Sequence, residues 1–332
     1  MSLTTIDLFS GAGGLSLGLE AAGFRSVFAV EIMPDAVATY RSTFPNAVVH
    51  GGDICEVDFQ RWTGVDVVAG GPPCQPFSIG GLRRGREDVR DFLPEFVRAV
   101  LQVRPRAFIM ENVPNLISFG PYLRHVLAPL LDLYSVSEPQ VLNAADYGVP
   151  QSRRRLVIVG NRDGQAFRLP PGRPDRRVPS GSVLSGQPKG DPNPSKVVYA
   201  KRPDLRPNPY QGHLFNGGGR ALELNRPSPT ILASAGGNKT HFLDLQDRIP
   251  DYHRHLRLGG RPYVGELPGA RRLTVAESAT LQSFPEWVSF CGSRSSQYTQ
   301  VGNAVPPRLA QALGDELMDQ VLGRSRRKRV AA

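Results

Sequence analysis

Cys74 stands between prolines in Gly70-Gly71-Pro72-Pro73-Cys74-Gln75-Pro76-Phe77-Ser78, directly after the apolar run Val65–Ala69. That run predicts a buried strand, and open parallel sheets bind ligands beyond the carboxyl ends of their strands. The prolines restrict the backbone and hold the thiol in a fixed direction, which suits a nucleophile loop and is costly as core. A lone cysteine is more often a small buried hydrophobe, the part expected of Cys55 and Cys291. A second apolar run, Ala107–Met110, ends in Glu111-Asn112-Val113-Pro114. A carboxylate closing such a strand is expensive unless it is partnered or used. A third run, Leu156–Val159, is entered through Gln151-Ser152-Arg153-Arg154-Arg155. If the backbone is extended there, Arg153 and Arg155 share a face. Two guanidiniums on one face could stabilise a thiolate and developing negative charge, or hold a phosphate. A solvated basic turn is the plainer alternative.

A fourth group surrounds a glycine loop, Phe9-Ser10-Gly11-Ala12-Gly13-Gly14, between a predicted strand over Thr4–Phe9 and a helix over Leu15–Ala22. Glycines let the backbone approach a ligand closely. Ser16 occupies the last position of a GxGxxG fingerprint, which weakens a dinucleotide reading. Glu31 ends the next predicted strand, about twenty residues on, where doubly wound folds place a carboxylate on a ribose diol. Asp53, in Gly51-Gly52-Asp53-Ile54, follows the third strand and could accept from an adenine amino group. Together these residues point to an adenosine-containing ligand without identifying it.

The elements that must position these groups alternate through residues 1–162, as strand then helix. This rhythm predicts an α/β fold with a mostly parallel, Rossmann-like sheet covered by helices on both faces. It stops after Asn161: residues 163–270 hold 15 of the 30 prolines and read as a smaller, irregular, β-rich domain without long helices. Helical patterns return at Thr274–Gln282 and Pro307–Leu322. The 332 residues carry 40 basic and 30 acidic side chains, a net charge of +10. Residues 163–270 hold 16 basic against 9 acidic, and the last ten hold five against none, in a tail expected to be disordered. A basic middle segment and tail on a near-neutral body suggest a polyanionic partner. Three scattered cysteines make no disulfide framework or zinc pattern and suit an intracellular setting. No apolar run suits a membrane span, and Asp7 within the first apolar segment argues against a secretory signal.

These motifs, DLFSGAGG (7–14), GGPPCQPFS (70–78), ENVP (111–114), QSRRR (151–155), RLTVAESATLQSFP (272–285) and QVGNAVPP (300–307), occur in one order along almost the whole chain. In them the sequence resembles the DNA cytosine-5-methyltransferases of bacterial restriction–modification systems. A branch of that family modifies transfer RNA and is marked by a Cys-Phe-Thr signature that this chain lacks.

The resemblance implies a covalent mechanism. The Cys74 thiolate would attack C6 of a cytosine flipped out of duplex DNA. Glu111 would bind the N3 and N4 edge, Arg155 the base O2, and Arg153 would assist near the thiolate. The methyl donor would be S-adenosyl-L-methionine, leaving S-adenosyl-L-homocysteine, with no metal. Phe9 would pack the adenine, and Ser10, Gly11, Ala12, Gly13 and Gly14 would hold the methionine part. Glu31 with Ile32 would serve the ribose and Asp53 with Ile54 the adenine, while Pro73, Leu93, Asn303 and Ala304 would complete the cofactor site. Gln75, Ser78, Arg83, Arg84 and Thr230 would contact DNA. The catalytic domain would be discontinuous, 1–162 plus 271–332, and 163–270 would recognise the target. The expected setting is cytoplasmic, as a monomer without membrane association, with a cognate restriction endonuclease as a functional partner.

Overall fold

The computed structural model describes residues 2–73 and 91–323. Its elements are β1 (Leu3–Leu8), α1 (Gly14–Ala21), β2 (Phe24–Glu31), α2 (Pro34–Thr43), β3 (Val48–Gly51), β4 (Val67–Gly70), α3 (Leu93–Val103), β5 (Ala107–Asn112), α4 (Gly120–Leu131), β6 (Ser135–Val136), β7 (Gln140–Asn143) and β8 (Arg154–Asn161). Then come β9 (Tyr199–Asp204), β10 (His213–Phe215), β11 (Phe242–Asp244), α5 (Ile249–Arg257), β12 (Ala270–Arg272), α6 (Val275–Leu281), α7 (Arg294–Asn303) and α8 (Pro307–Gln320). They form two compact units: Met1–Gly148, Arg154–Asp175 and Ala304–Ala332 in the first, Val149–Arg153 and Arg176–Asn303 in the second.

The first unit is built on a sheet of order β3-β2-β1-β4-β5-β8-β6, with β7 also on β8. Strands β1 to β5 run parallel, and β8 is antiparallel to β5, β6 and β7. Alternate residues feed two cores. Ile6, Leu8, Val68, Phe108 and Met110 pack with Phe96 and Val100 of α3. Val67, Ala69, Ala107 and Ile109 pack with Leu19 of α1 and Leu313 of α8. Burial of both faces explains why these strands read as unbroken apolar runs. Helices α1 and α8 approach through glycine: a Cβ on Gly18 would lie 2.3 Å from the Pro307 carbonyl oxygen, and one on Gly314 would lie 2.7 Å from Ala22 Cβ.

The second unit has two short ladders, β9 with β10 and β11 with β12, around a core containing Val197, Phe215, Phe242 and Tyr252. Its helix α5 arises in a segment whose prolines argued against long helices. Pro250 sits in the first turn, where a missing N–H costs nothing. Residues 271–303, expected with the sheet domain, group with this second unit. The reason is local bonding: β12 pairs with β11, and both oxygens of Glu277 accept from Arg271 at 2.7 and 2.8 Å. Arg272 is fully buried and donates to the Thr240 carbonyl at 2.7 Å and to Asn216 Oδ1 at 2.9 Å. Residues 163–175 group instead with the first unit, whose core includes Phe167. Among the described residues no helix is long and apolar enough to cross a membrane.

Candidate active site

Because β2, β1, β4 and β5 are parallel neighbours, their carboxyl ends lie along one sheet edge, and the loops that leave them meet there. The order reverses between β1 and β4, the crevice where such sheets hold ligands. The glycine loop leaves β1 through a tight turn: Phe9, Gly11 and Gly13 all have positive φ, at 57°, 53° and 81°. The Gly13 N–H donates to the Ser10 carbonyl at 2.9 Å. Gly13 needs its missing side chain, since a Cβ would meet Phe44 at 2.4 Å. Phe9 is half-buried, edge-on to Phe92 at 5.9 Å. Ala12 and Gly14 are buried.

Glu31, 8 % exposed, organises this loop. Its Oε2 accepts the Gly11 N–H at 2.7 Å and its Oε1 the Met33 N–H at 2.8 Å. Each oxygen keeps a further lone pair for a ligand. Ile32 beside it is exposed. Asp53 caps a single turn over Ile54–Glu56; the Cys55 N–H donates to its Oδ1 at 2.9 Å and holds its carboxyl below the usual carboxylate range. That turn leaves Cys55 exposed, and Cys291 is half-buried, so neither is the buried hydrophobe expected of it. Ile54 is buried in the core, and so is Leu93, at the start of α3. Three observations test the loop against an adenosine-bearing methyl donor. Ser10 Oγ is buried without a hydrogen-bond partner among the described residues. A Cβ on Gly11 would meet nothing within 4 Å. Glu31 and Asp53 sit at neighbouring strand ends. The residues fit such a group.

A carboxyl that sequence reasoning passed over lies beneath the loop. Asp7 is buried in β1, and burial raises its pKa to about 7. Ser16 Oγ donates to Asp7 Oδ2 at 2.7 Å and lies 2.7 Å from the Tyr40 hydroxyl. The phenol, pushed well up by its own burial, supplies the second proton of this chain. Ser16, which broke the dinucleotide fingerprint, is therefore required by the carboxylate under it. The signal was available: an aspartate inside an apolar strand invites the same question as Glu111.

Glu111, at the carboxyl end of β5, is 8 % exposed, and its Oε1 lies 2.7 Å from Arg155 Nε. Arg155 reaches it because β8 pairs antiparallel with β5, setting Glu111 opposite Val157. Arg155 Nη1 donates to the Arg154 carbonyl at 2.7 Å, and its Nη2 has no acceptor among the described residues. A Cβ on Gly71 would lie 3.0 Å from Glu111 Oε2, so the carboxylate sits over the backbone that leads to Pro73. Asn112 Nδ2 ties that backbone by donating to the Pro72 carbonyl at 2.9 Å, and the Phe92 N–H donates to the Pro73 carbonyl at 3.1 Å. Cys74, Gln75, Ser78, Arg83 and Arg84 lie outside the described residues.

Arg153 does not share a strand face with Arg155, because β8 begins at Arg154. It is 1 % exposed, and its terminal nitrogens donate to the carbonyls of Ile231 at 3.0 Å and Gly302 at 2.7 Å. Thr230 Oγ1 donates to the Ser152 carbonyl at 2.7 Å. Asn303 is exposed at the end of α7, and Ala304 is buried.

The family model of the C-5 cytosine-specific DNA methylases matches residues 3–206 and 214–319. A type II methyltransferase of Arthrospira platensis, M.AplI, is 34% identical over 326 residues, covering 94% of this chain and 84% of its own. M.NgoMIV of Neisseria gonorrhoeae, also a type II methyltransferase, is 31% identical, covering 96% of this chain and 98% of its own. Among solved structures, Spodoptera frugiperda DNMT2 is similar in fold, with a TM-score of 0.69 at 19% identity over 96% of this chain and 100% of that one.

Proposed function

Since the chain belongs to the C-5 cytosine-specific DNA methylase family and is a DNA cytosine-5-methyltransferase, we propose that it modifies one cytosine within a specific duplex DNA word through a transient bond from Cys74 to a flipped-out base. The observation that carries this is the pair of buried Glu111 with half-buried Arg155 beside Gly71, three positions before Cys74. Cytosine C5 is a poor nucleophile, and its atoms are shielded in a stacked duplex. Extrusion of the base costs a few kcal/mol. The Cys74 thiolate forms a bond to C6, and the C5–C6 π pair moves toward N3, which takes a proton held by Glu111. Arg155, anchored by Glu111, offers its remaining donors to the base O2. Arg153, with its terminal nitrogens donating to the carbonyls of Ile231 and Gly302, acts as a positioning residue for the segment that leads into Arg155. Carbon 5, now electron-rich, accepts a methyl group, then loses its proton to a base as the C6–S bond breaks and restores the thiolate, and N3 returns its proton to Glu111.

S-adenosyl-L-methionine supplies that electrophilic methyl group when bound. Ser10 and the backbone from Phe9 to Gly14 hold its amino-acid part, Glu31 the ribose hydroxyls and Asp53 the adenine amino group, with Ile32, Ile54, Pro73, Leu93, Asn303 and Ala304 around them. The basic segment 163–270, with Thr230, supplies recognition of the DNA word, and Gln75, Ser78, Arg83 and Arg84 contact the strand that carries the base. The names of the type II relatives support a role in protecting host DNA from a cognate endonuclease. The enzyme acts in the cytoplasm as a monomer. The test uses tritiated S-adenosyl-L-methionine and mixed duplex DNA, followed by bisulfite sequencing. One methylated word is expected, and a stable adduct to Cys74 on duplexes carrying 5-fluorocytosine. A folded enzyme that makes no 5-methylcytosine refutes the activity; an active one whose adduct forms on another side chain refutes the mechanism.

A further inference from the structure

The ladder β9–β10 carries a polar groove that none of the chemistry above uses. Asp204, Arg206, Gln211, His213 and Arg220 line a space of about 430 Å³ on the second unit. Its floor is packed, because Tyr199 and Phe215 of the ladder lie against each other, tilted, at 5.4 Å and join the core with Tyr252.

Arg220 is the best-seated member. It follows a glycine turn that no other residue could make: Gly217 has a φ of +76°, and a Cβ on Gly219 would lie 1.8 Å from the Thr240 carbonyl. The Arg220 N–H donates to Nδ1 of His241 at 3.0 Å, and its carbonyl accepts the Phe242 N–H at 3.1 Å. Its backbone is thus fixed on both sides, while its guanidinium is exposed and makes no hydrogen bond or ion pair among the described residues. Gln211 and His213 are likewise exposed, with no side-chain hydrogen bond among those residues. Arg206, in contrast, donates to Asp204 at 3.0 Å.

This set differs from a phosphate clamp. A clamp needs cations alone, and a carboxylate in its lining repels the ligand. A fork of donors on a rigid backbone, an amide and a carboxylate are instead the groups that match base edges in the major groove: arginine to guanine, glutamine to adenine, aspartate to the cytosine amino group. The groove also connects to the segment that leads into the catalytic arginines. With Nδ1 of His241 accepting from Arg220, its proton sits on Nε2, which donates to the Thr230 carbonyl at 3.3 Å, and Thr230 Oγ1 donates to Ser152.

We propose that this groove reads the target word, Arg220 gripping N7 and O6 of a guanine and Gln211 the edge of an adenine. The inference rests on the methyltransferase reading and adds to it the side chains that set sequence choice. The full-length enzyme is tested on a library of duplexes randomised around a cytosine, with product positions read by bisulfite sequencing. Arg220→Lys keeps the charge and loses the fork, so discrimination at one guanine position falls by about 5- to 150-fold. Gln211→Ala relaxes a different position, and Arg25→Lys, exposed on β2, leaves the word unchanged. If Arg220→Lys and Gln211→Ala both keep the wild-type word and its relative preferences, the proposal is wrong. Should Arg220→Lys fail to fold, judged by its melting temperature, Gln211→Ala alone decides the matter by the same criterion. A wild-type enzyme that methylates nothing in the library overturns the methyltransferase reading itself, which separates the two failures.

Discussion

Replacing Asp7 by asparagine removes a carboxyl that burial keeps protonated up to about pH 7, against a reference value of 3.8. The unfolded chain releases this proton near pH 4, while the native state retains it to about pH 7. Over that window the unfolded state binds fewer protons, so stability falls as pH rises. Below the unfolded value the group contributes no pH dependence, and above about pH 7 the loss is complete. Between pH 5 and pH 8 the cost is roughly 3 kcal/mol, at about 1.4 kcal/mol for each tenfold change in proton affinity. The substituted amide keeps an oxygen to accept from Ser16, so the hydroxyl chain to Tyr40 survives the change. The assay is urea unfolding at pH 5, 6, 7 and 8, followed by the fluorescence of Trp62, which stacks on Phe28 at 4.3 Å. The second tryptophan, Trp287, is changed to phenylalanine in both proteins. Relative to wild type, Asp7→Asn gains stability from pH 5 to about pH 7 and levels off by pH 8. A constant difference across that range refutes the assignment of a protonated, buried Asp7.

Arg155→Ala removes the guanidinium paired with the buried Glu111 carboxylate and costs about 3 kcal/mol in denaturant unfolding, whereas Arg155→Ala with Glu111→Gln recovers most of that stability and none of the methylation. Gly18→Ala gains about 1 kcal/mol in helix propensity but drives a methyl into the Pro307 backbone, and overpacking of roughly 1–3 kcal/mol or more wins, so melting falls. Arg272→Met strands the carbonyls of Thr240 and Asn216 and removes a cation whose pKa burial has already lowered to about 10; calorimetry should register a loss of about 3 kcal/mol. Thr274→Ala abolishes the capping box with Glu277 and the bond to the Lys189 carbonyl, for about 1–2 kcal/mol in chemical unfolding, and Thr274→Ser restores most of it.

The sheet was legible because its strands bury both faces: Val65–Ala69 and Ala107–Met110 needed only local apolarity to be seen. The glycine loop was legible because positive φ leaves few residue choices at Gly11 and Gly13. Helix α7 was not, since Arg294–Asn303 is largely polar and is tied down by distant groups, such as the Tyr298 hydroxyl donating to the Leu273 carbonyl at 2.7 Å. The burial of Arg153 and Arg272 could not be read locally, because their acceptors are main-chain carbonyls far away in sequence that leave no local pattern. The strand face that Arg153 and Arg155 would share if both lay in one strand is absent for a related reason. The ladder begins one residue later, and the side chain of Arg153 turns to Ile231 and Gly302.

The glycine contact between α1 and α8 has a consequence during synthesis. One core of the sheet is sealed by a helix made some three hundred residues after the strand that starts it, so a ribosome-bound chain keeps Leu19 and Phe24 wet until α8 emerges. A message cut short before Pro307 therefore yields a protein with an open hydrophobic flank beside its first helix. Such a product is a substrate for proteolysis and leaves no partially working enzyme behind.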